Sequence, residues 1–292
     1  MTAARVPVLS RLAGVQVGVP EPPATAAFLR DGLQFSVQAR DDEFDVLCAG
    51  DYGDPEPQQA ITLVRRPSLE LIELRFTTTP VCDLEALAHA ASAHGATEVT
   101  VDAGRLAYRD PGATRVACGR FAVAPGPLPV SSLRPRRLGH ANLKVRDPAA
   151  VTRFWVRAMG MCLSEQIGDD LAFLRLEAEH HNLGLRVADA PMLHHLGFEV
   201  PGWDAYRPIL DQLAEAGYRA EFGPGRHGVG RNLFTYVVDP SSGLRLELFA
   251  DMARVRHQED PETPPIRWRA EDRMTRTLNV WGSAPPPASF LA

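Results

Sequence analysis

The histidines of this chain are concentrated in its second half. Its 292 residues include nine histidines, and seven of them follow residue 136: His140, His180, His181, His194, His195, His227 and His257. A neutral imidazole is a common metal ligand, and a reference pKa of about 6.5 also lets histidine carry protons near neutral pH. We therefore expect any metal or proton chemistry to lie in the second half of the chain.

Two of these histidines and one carboxylate occupy matching places on predicted strands. Period-2 alternation puts His140 on the polar face of the strand LGHANLKV, and Glu247 on the face opposite its leucine neighbours in GLRLELF. His195 lies in the strand MLHHLGFEV, and its neighbour His194 is expected on the opposite face. Two imidazoles and one carboxylate from three strands of a curled sheet form the facial triad that holds non-haem Fe(II) and leaves positions open. We predict Fe(II), in preference to Mn(II) or tetrahedral Zn(II), at His140, His195 and Glu247.

Three further side chains could transfer protons beside such a metal. His181 begins the strand in EHHNLGL, His227 lies in the glycine-rich loop FGPGRHGVGRN, and Tyr236 follows on the strand NLFTYVV. Each has a plainer interpretation, since a loop histidine is usually exposed and a strand tyrosine usually serves packing. The polar face of LGHANLKV could likewise face water, and the histidine pair at 194 and 195 could be buried without a metal. Placement of all these residues around one cavity is what would give them a role.

The chain also contains an internal repeat. Residues 11–37 align without a gap to residues 137–163 at a constant offset of 126 residues, with Phe28 on Phe154. A second pairing joins SLELIELRF and the helix DLEALAHAASAHG to MLHHLGFEV and the helix YRPILDQLAEAGY. Each copy has the pattern of a strand, a short amphipathic helix and a run of further strands. The chain therefore contains four copies of one unit.

Each unit is predicted to be a βαβββ module of an α+β fold. The modules cover about residues 11–66, 68–124, 137–188 and 193–250, with a Pro- and Ser-rich linker at 125–136. Because one module cannot close a core alone, we expect two domains, each a pair of modules whose sheets curl around a cavity. The predicted division is a non-catalytic domain at 1–130, a catalytic domain at 131–251 and a tail packing on the latter at 252–292.

Composition limits the classes of function. A net charge of −5 argues against a nucleic-acid partner, because phosphate binding depends on a positive surplus. The four cysteines contain no CxxC pair, which fits neither a secreted disulfide framework nor a thiolate zinc site. No secretory signal and no apolar run of about 18 residues is present, so we expect a cytoplasmic protein without a membrane partner.

The segments that carry the candidate residues resemble a known family. LGHANL, EHHNLGL, LHHLGFEV, GRHGVGRN and YVVDPSSGLRLELFADM occur in the order and spacing of type I extradiol catecholic dioxygenases of the vicinal oxygen chelate superfamily, whose domains are glyoxalase- and bleomycin-resistance-like. The resemblance covers about residues 137–251, with an extra residue in the turn before Glu247. It implies Fe(II) at His140, His195 and Glu247, oxygen binding and proton transfer by His181, and contact of His227 and Tyr236 with the substrate oxygens.

The resemblance also implies the reaction: extradiol (meta) cleavage of a catecholic ring, with insertion of both atoms of O2, in the catabolism of aromatic compounds. The equivalent positions of the first half, Gly14, Gln59, Glu73 and Ala117, predict no second metal site and leave that half to structure and homo-oligomer assembly. Two alternatives remain open at this point. One is another metal-dependent enzyme of the fold, such as a glyoxalase-like isomerase or a hydrolase, and the other is a metal-free binding or sequestering protein.

Two expectations concern the surroundings of the site. Met192 and Phe198 are expected to form part of the pocket wall. Beyond residue 250 the chain becomes polar and rich in proline, which is unsuited to the interior of a helix or sheet. Trp268, Trp281 and Phe290 are expected to hold this tail on the catalytic domain, where it could cover the mouth of the site.

Overall fold

The computed structural model of this chain describes residues 8–48, 58–121, 134–255, 264–282, 286 and 288–291. Most of the predicted linker at 125–136, and with it the predicted domain boundary at 130, lies outside the described residues. No helix in the described ranges combines the length and the apolar character needed to cross a membrane.

Seventeen strands and five helices make up the described ranges. The strands of the first half are β1 (Leu9–Val19), β2 (Ser36–Arg40), β3 (Glu43–Cys48), β4 (Gln58–Arg65), β5 (Glu70–Thr78), β6 (Thr97–Asp102), β7 (Arg105–Arg109) and β8 (Arg115–Gly119). Those of the second half are β9 (Arg137–Val145), β10 (Cys162–Ile167), β11 (Leu171–Arg175), β12 (Leu183–Val187), β13 (Met192–Glu199), β14 (Ala220–Arg226), β15 (Leu233–Val238), β16 (Arg245–Ala250) and β17 (Ile266–Trp268). The helices are α1 (Pro22–Ala27), which continues as a π-helical turn at Phe28–Gly32, α2 (Leu84–Ala93), α3 (Pro148–Arg157), α4 (Trp203–Glu215) and α5 (Ala288–Leu291), with a second π-helical turn at Arg273–Thr277.

The sheet order confirms the four βαβββ modules and the α+β fold. The first sheet has the order β2-β3-β4-β1-β5-β8-β7-β6, and the second has the order β14-β15-β16-β13-β9-β12-β11-β10-β17. Within each module the first strand pairs parallel with the last, as β1 with β4 and β9 with β12. The two modules of a domain meet through their antiparallel first strands, β1 with β5 and β9 with β13. The second sheet has one more strand because β17 of the tail pairs with β10.

Local sequence explains how a module begins. On β1, alternate residues Val15, Val17 and Val19 are fully buried, as the period-2 pattern requires. Helix α3 starts where the Asp147 side chain accepts a hydrogen bond from the Ala150 N–H at 2.8 Å and Pro148 fills the first turn. The helix then buries its apolar side against the sheet.

The two halves share one hydrophobic core. The Phe76 ring of the first half lies 5.2 Å from the Trp155 ring of the second, and Phe35 lies 4.8 Å from Phe198 in a T-shaped contact. The indole N–H of Trp155 also donates to the buried carboxylate of Asp110 at 3.0 Å. The same carboxylate accepts hydrogen bonds from the backbone of its own turn. This junction fixes the second half against the first through both packing and a buried hydrogen bond.

Asp110 gives the junction a testable pH dependence. Burial raises the pKa of Asp110 to about 6, although its hydrogen bonds oppose the shift. A carboxyl whose pKa is higher in the folded than in the unfolded state stabilises the fold most at low pH and loses this contribution as pH rises toward 6. We expect the unfolding free energy of the wild type to fall relative to that of Asp110→Asn between pH 4 and 7, by up to about 3 kcal/mol. Urea denaturation at several pH values measures this difference. The exposed Asp102→Asn variant is the control, and a pH-independent difference for Asp110→Asn would contradict the assignment.

Candidate metal centre

Three neighbouring strands bring the predicted metal ligands together. His140 projects from β9, His195 from β13 and Glu247 from β16, and these strands are adjacent in the second sheet. The two Nε2 atoms lie 3.2 Å apart, and Oε2 of Glu247 lies 3.2 Å from that of His140 and 3.1 Å from that of His195. All three side chains are buried. Among the described residues they form the one cluster of histidine, cysteine or acidic side chains with metal-binding proximity.

The electrostatics of the cluster favour coordination. Burial alone would raise the pKa of Glu247, but hydrogen bonds and charge from His140 and His195, with His227 nearby, hold it well below its usual range. Burial lowers the pKa of His195 to about 4, in spite of the opposing carboxylate. The site therefore presents an ionised carboxylate and a neutral imidazole, which are the protonation states that bind a metal ion.

The spacing of the donor atoms fits a divalent metal. Donors about 2.1 Å from one ion and at right angles to each other lie about 3 Å apart. The three observed separations match this value, and two nitrogens with one oxygen are the donor set of a facial triad.

The other three predicted residues line a cavity together with His195 and Glu247 of the triad. The His181 ring lies 4.5 Å from that of His140, and burial together with neighbouring imidazoles lowers the pKa of His181 well below its usual value. The Tyr236 hydroxyl donates to Oε2 of Glu247 at 2.8 Å and lies 3.1 Å from Nε2 of His227. Burial and the Glu247 charge raise the pKa of Tyr236 well above its usual value. His181 is thus a neutral base, and Tyr236 stays protonated.

The remaining walls of this cavity are mainly apolar. They include Ile167, Leu171, Phe173, Val229, Leu278 and Phe290. The expectation for Met192 and Phe198 is wrong, because neither contributes to the cavity. Alternation along β13 places Gly197 on the face of the metal ligands, so Phe198 points into the core and packs on Phe35.

The expectation for His194 is also wrong. The pairing of β13 with β9 has an irregularity between Leu193 and His195, and this bulge abolishes the simple alternation of faces. His194 is buried, lines the cavity, and places its Nδ1 2.7 Å from Nδ1 of His195. A similar contact of 2.9 Å joins the Nδ1 atoms of His180 and His181.

The first half carries a different cluster at the equivalent place. Strand pairing sets Glu73 opposite Gln16, just as it sets His195 opposite Asn142. Glu73 is buried and forms ion pairs with the guanidinium groups of Arg75, Arg105 and Arg115. Guanidinium groups cannot coordinate a metal ion, and the described residues of this half contain no second ligand cluster.

Two residues that contact the triad were not predicted from the sequence. The Asn232 amide donates to Oε1 of Glu247 at 2.8 Å and so fixes the second carboxylate oxygen. Gly197 faces His140 across the sheet, where a Cβ atom would lie 2.1 Å from the imidazole Cε1. Both stand in segments already noted for their histidines, but only the strand register indicates what they contact.

The tail contacts the cavity through its last helix. Phe290 is buried, and its ring lies 4.6 Å from that of Tyr236 and 5.1 Å from that of His194. The half-buried Trp268 donates its indole N–H to Glu165 at 2.8 Å. Trp281 is half exposed and contacts Trp203 instead.

A family model matches the second half of the chain. The family model of the Glyoxalase/Bleomycin resistance protein/Dioxygenase superfamily matches residues 137–248. Metapyrocatechase 2 of Cupriavidus necator is 34% identical over 113 residues, which cover 38% of this chain and 35% of that protein. Metapyrocatechase of Geobacillus stearothermophilus is 30% identical over 175 residues, 57% of this chain and 52% of that protein. The manganese-dependent 2,3-dihydroxybiphenyl 1,2-dioxygenase of Geobacillus genomosp. 3 is 29% identical over 153 residues, 49% and 48% of the two chains. The chain thus spans about half the length of these relatives, or less.

Solved structures match over nearly the whole chain. The 2,3-dioxygenase LapB from Pseudomonas sp. KL28 has a TM-score of 0.80 at 22% identity, covering 92% of this chain and all of that one. Homoprotocatechuate 2,3-dioxygenase from Arthrobacter globiformis has a TM-score of 0.81 at 19% identity, covering 99% and 93%. A Mn(II)-bound glyoxalase from Novosphingobium aromaticivorans also has a TM-score of 0.81 at 19% identity, covering 97% and 94%. These likenesses show the fold alone. Residues 137–248, which hold the candidate metal centre, thus match the Glyoxalase/Bleomycin resistance protein/Dioxygenase superfamily, in a chain that has the fold of the extradiol dioxygenase structures.

Proposed function

We propose that this chain is an extradiol dioxygenase that opens the ring of a catecholic substrate and inserts both atoms of O2. The observation that carries the proposal is a buried His-His-Glu triad, two of whose members line a cavity together with His181, His227 and Tyr236. The similarity to the two metapyrocatechases and to the 2,3-dihydroxybiphenyl dioxygenase supports it. Its partners are a catecholic small molecule and O2, in the breakdown of aromatic compounds in the cytoplasm. We expect a homo-oligomer.

We propose Fe(II) as the metal held by His140, His195 and Glu247. A triad of two histidines and one carboxylate is the typical setting of non-haem Fe(II) that reacts with oxygen. Mn(II) is the alternative, because one relative is named as manganese-dependent. When bound, the metal supplies the redox chemistry between the diol and oxygen.

The other side chains of the cavity bind the substrate and transfer protons. The Tyr236 hydroxyl and Nε2 of His227 are close enough to orient one substrate oxygen together. His181 is neutral, so it can accept a proton from the diol and return it later to the oxygen that is being reduced. The apolar walls restrict the entry of water and fit the faces of an aromatic ring.

A metal-dependent isomerase of the glyoxalase kind is the second candidate. The similarity in fold to the Mn(II)-bound glyoxalase favours it, since one backbone serves both kinds of chemistry. It gives no evident role, however, to His181, His227 and Tyr236 acting together. Two assays separate the candidates. A dioxygenase should consume oxygen and increase absorbance with catechols, whereas an isomerase should convert thiol adducts of 2-oxoaldehydes without oxygen.

The triad should be necessary for metal binding. We expect His140→Ala, His195→Ala and Glu247→Ala to purify folded but with little iron, while the wild type holds about one metal per chain. Two remaining donors cannot replace the lost ligand or charge. Metal analysis with circular dichroism measures both properties, and the exposed His89→Ala variant should match the wild type. Full occupancy in any triad variant would remove that residue from the site.

Gly197 should be needed for the same metal although it supplies no ligand. We expect Gly197→Ala to displace the His140 ring, because the new methyl group would overlap it. The variant should bind metal at least tenfold more weakly in a titration of the metal-free protein. Unchanged affinity at an unchanged melting temperature would mean that the ring of His140 can shift without cost.

His181 should affect turnover without affecting metal or substrate binding. Removing a positioned acid–base group costs about 10²–10⁴ in rate. We expect His181→Ala to retain iron and to bind catechol anaerobically like the wild type, but to turn over slower by a factor in this range. His227→Ala and Tyr236→Phe should instead weaken the anaerobic binding. Near-normal turnover of His181→Ala at saturating catechol and oxygen would exclude the histidine as the proton carrier.

A further inference from the structure

The metal ligand His195 is connected to the C-terminal helix by a chain of hydrogen bonds. Its Nε2 belongs to the triad, and its Nδ1 lies 2.7 Å from Nδ1 of His194. Nε2 of His194 lies 2.9 Å from the backbone carbonyl oxygen of Phe290, in helix α5. Both histidine rings and the Phe290 ring are buried, so water has little access to compete for these contacts. Two rings therefore separate the metal position from the tail.

The order of hydrogens along this chain follows from the metal site. His195 can coordinate through Nε2 only if its hydrogen is on Nδ1. That hydrogen is donated to Nδ1 of His194, so His194 must carry its own hydrogen on Nε2. The Phe290 carbonyl accepts this second hydrogen. Each contact then has one donor and one acceptor, and the last acceptor is a backbone atom of the tail.

Arg186 makes the opposite order of hydrogens along this chain of hydrogen bonds possible. One guanidinium nitrogen of Arg186 lies 3.2 Å from Nε2 of His194 and 3.3 Å from the Phe290 carbonyl oxygen. A guanidinium can only donate. If Arg186 donated to His194, the hydrogens would run in reverse, and His195 would carry a hydrogen on Nε2, where the metal binds. When the Phe290 carbonyl is in place, Arg186 and His194 can both donate to it. Arg186 then does not need His194 as an acceptor, and Nε2 of His195 stays free of hydrogen.

We propose that His194 and the Phe290 carbonyl are positioning groups that keep Nε2 of His195 free of hydrogen. Helix α5 thereby selects the metal-binding tautomer of the ligand, and Arg186 selects the other tautomer when α5 is displaced. The proposal rests on the metal site of the proposed function, but not on the reaction. The loss of an outer hydrogen-bond partner of a metal-bound histidine typically costs about 10–100-fold in metal affinity.

The first test measures Mn(II) and anaerobic Fe(II) affinity of the metal-free full chain. His194→Leu should weaken both by about 10–100-fold. His194→Gln should recover most of this loss, because its amide can accept from His195 and donate to Phe290. The matched control is His180→Leu. His180 is as buried as His194, but its hydrogen-bonded neighbour His181 is not a metal ligand. This variant should leave metal affinity unchanged. Equal affinity of His194→Leu and the wild type would overturn the proposal, and so would an equal loss in His180→Leu.

The second test does not depend on how His194→Leu folds. Deleting residues 288–292 removes the Phe290 carbonyl together with the Leu291 carbonyl, the other α5 acceptor of Arg186, and should weaken metal binding. Adding Arg186→Met to this deletion should restore part of the affinity, because the competing donor is gone. A further loss, or no change, in the double variant would overturn the selection by Arg186. If the wild type itself bound neither metal, the proposed function would fail instead.

Discussion

The ionised carboxylate of Glu247 is the constraint that the second half of the chain is built around. A buried anion is unfavourable unless donors surround it, and Glu247 receives hydrogen bonds from Asn232 and Tyr236 and faces the imidazoles of His140 and His195. The two imidazoles have nitrogen atoms 3.2 Å apart, a separation suited to a shared cation. The need to satisfy this carboxylate thus brings protein donors and metal ligands to one place.

The two halves surround a buried carboxylate with different kinds of side chain. Glu73 and His195 occupy equivalent positions in the strand pairing of the two sheets. Arginines surround Glu73, and because a guanidinium is always protonated, that cluster can only form ion pairs. The imidazole nitrogens around Glu247 can offer lone pairs to a metal. One backbone therefore gives a structural cluster in the first half and a candidate reactive centre in the second, through the choice of side chain alone.

Much of this arrangement could be predicted from the sequence because the repeat carries register information. The constant offset between residues 11–37 and 137–163 already relates β1 to β9, and strand alternation then places His140 and Glu247 on one face. The position of His194 could not be predicted, because it depends on a bulge that interrupts the alternation. The contacts of Gly197 and Asn232 depend on side-chain distances across neighbouring strands, which periodicity does not contain.

The short strand β17 has a consequence beyond the site. Ile266, Arg267 and Trp268 pair with Glu165, Gln166 and Ile167 along the outer side of β10. An open strand edge offers unpaired backbone groups to other chains, and natural proteins usually cover or interrupt such edges. The same three residues also bring the Trp268 indole to Glu165. A chain whose tail detached would therefore expose a sheet edge beside an apolar cavity, and loss of the tail would favour aggregation as well as disturb the candidate metal centre.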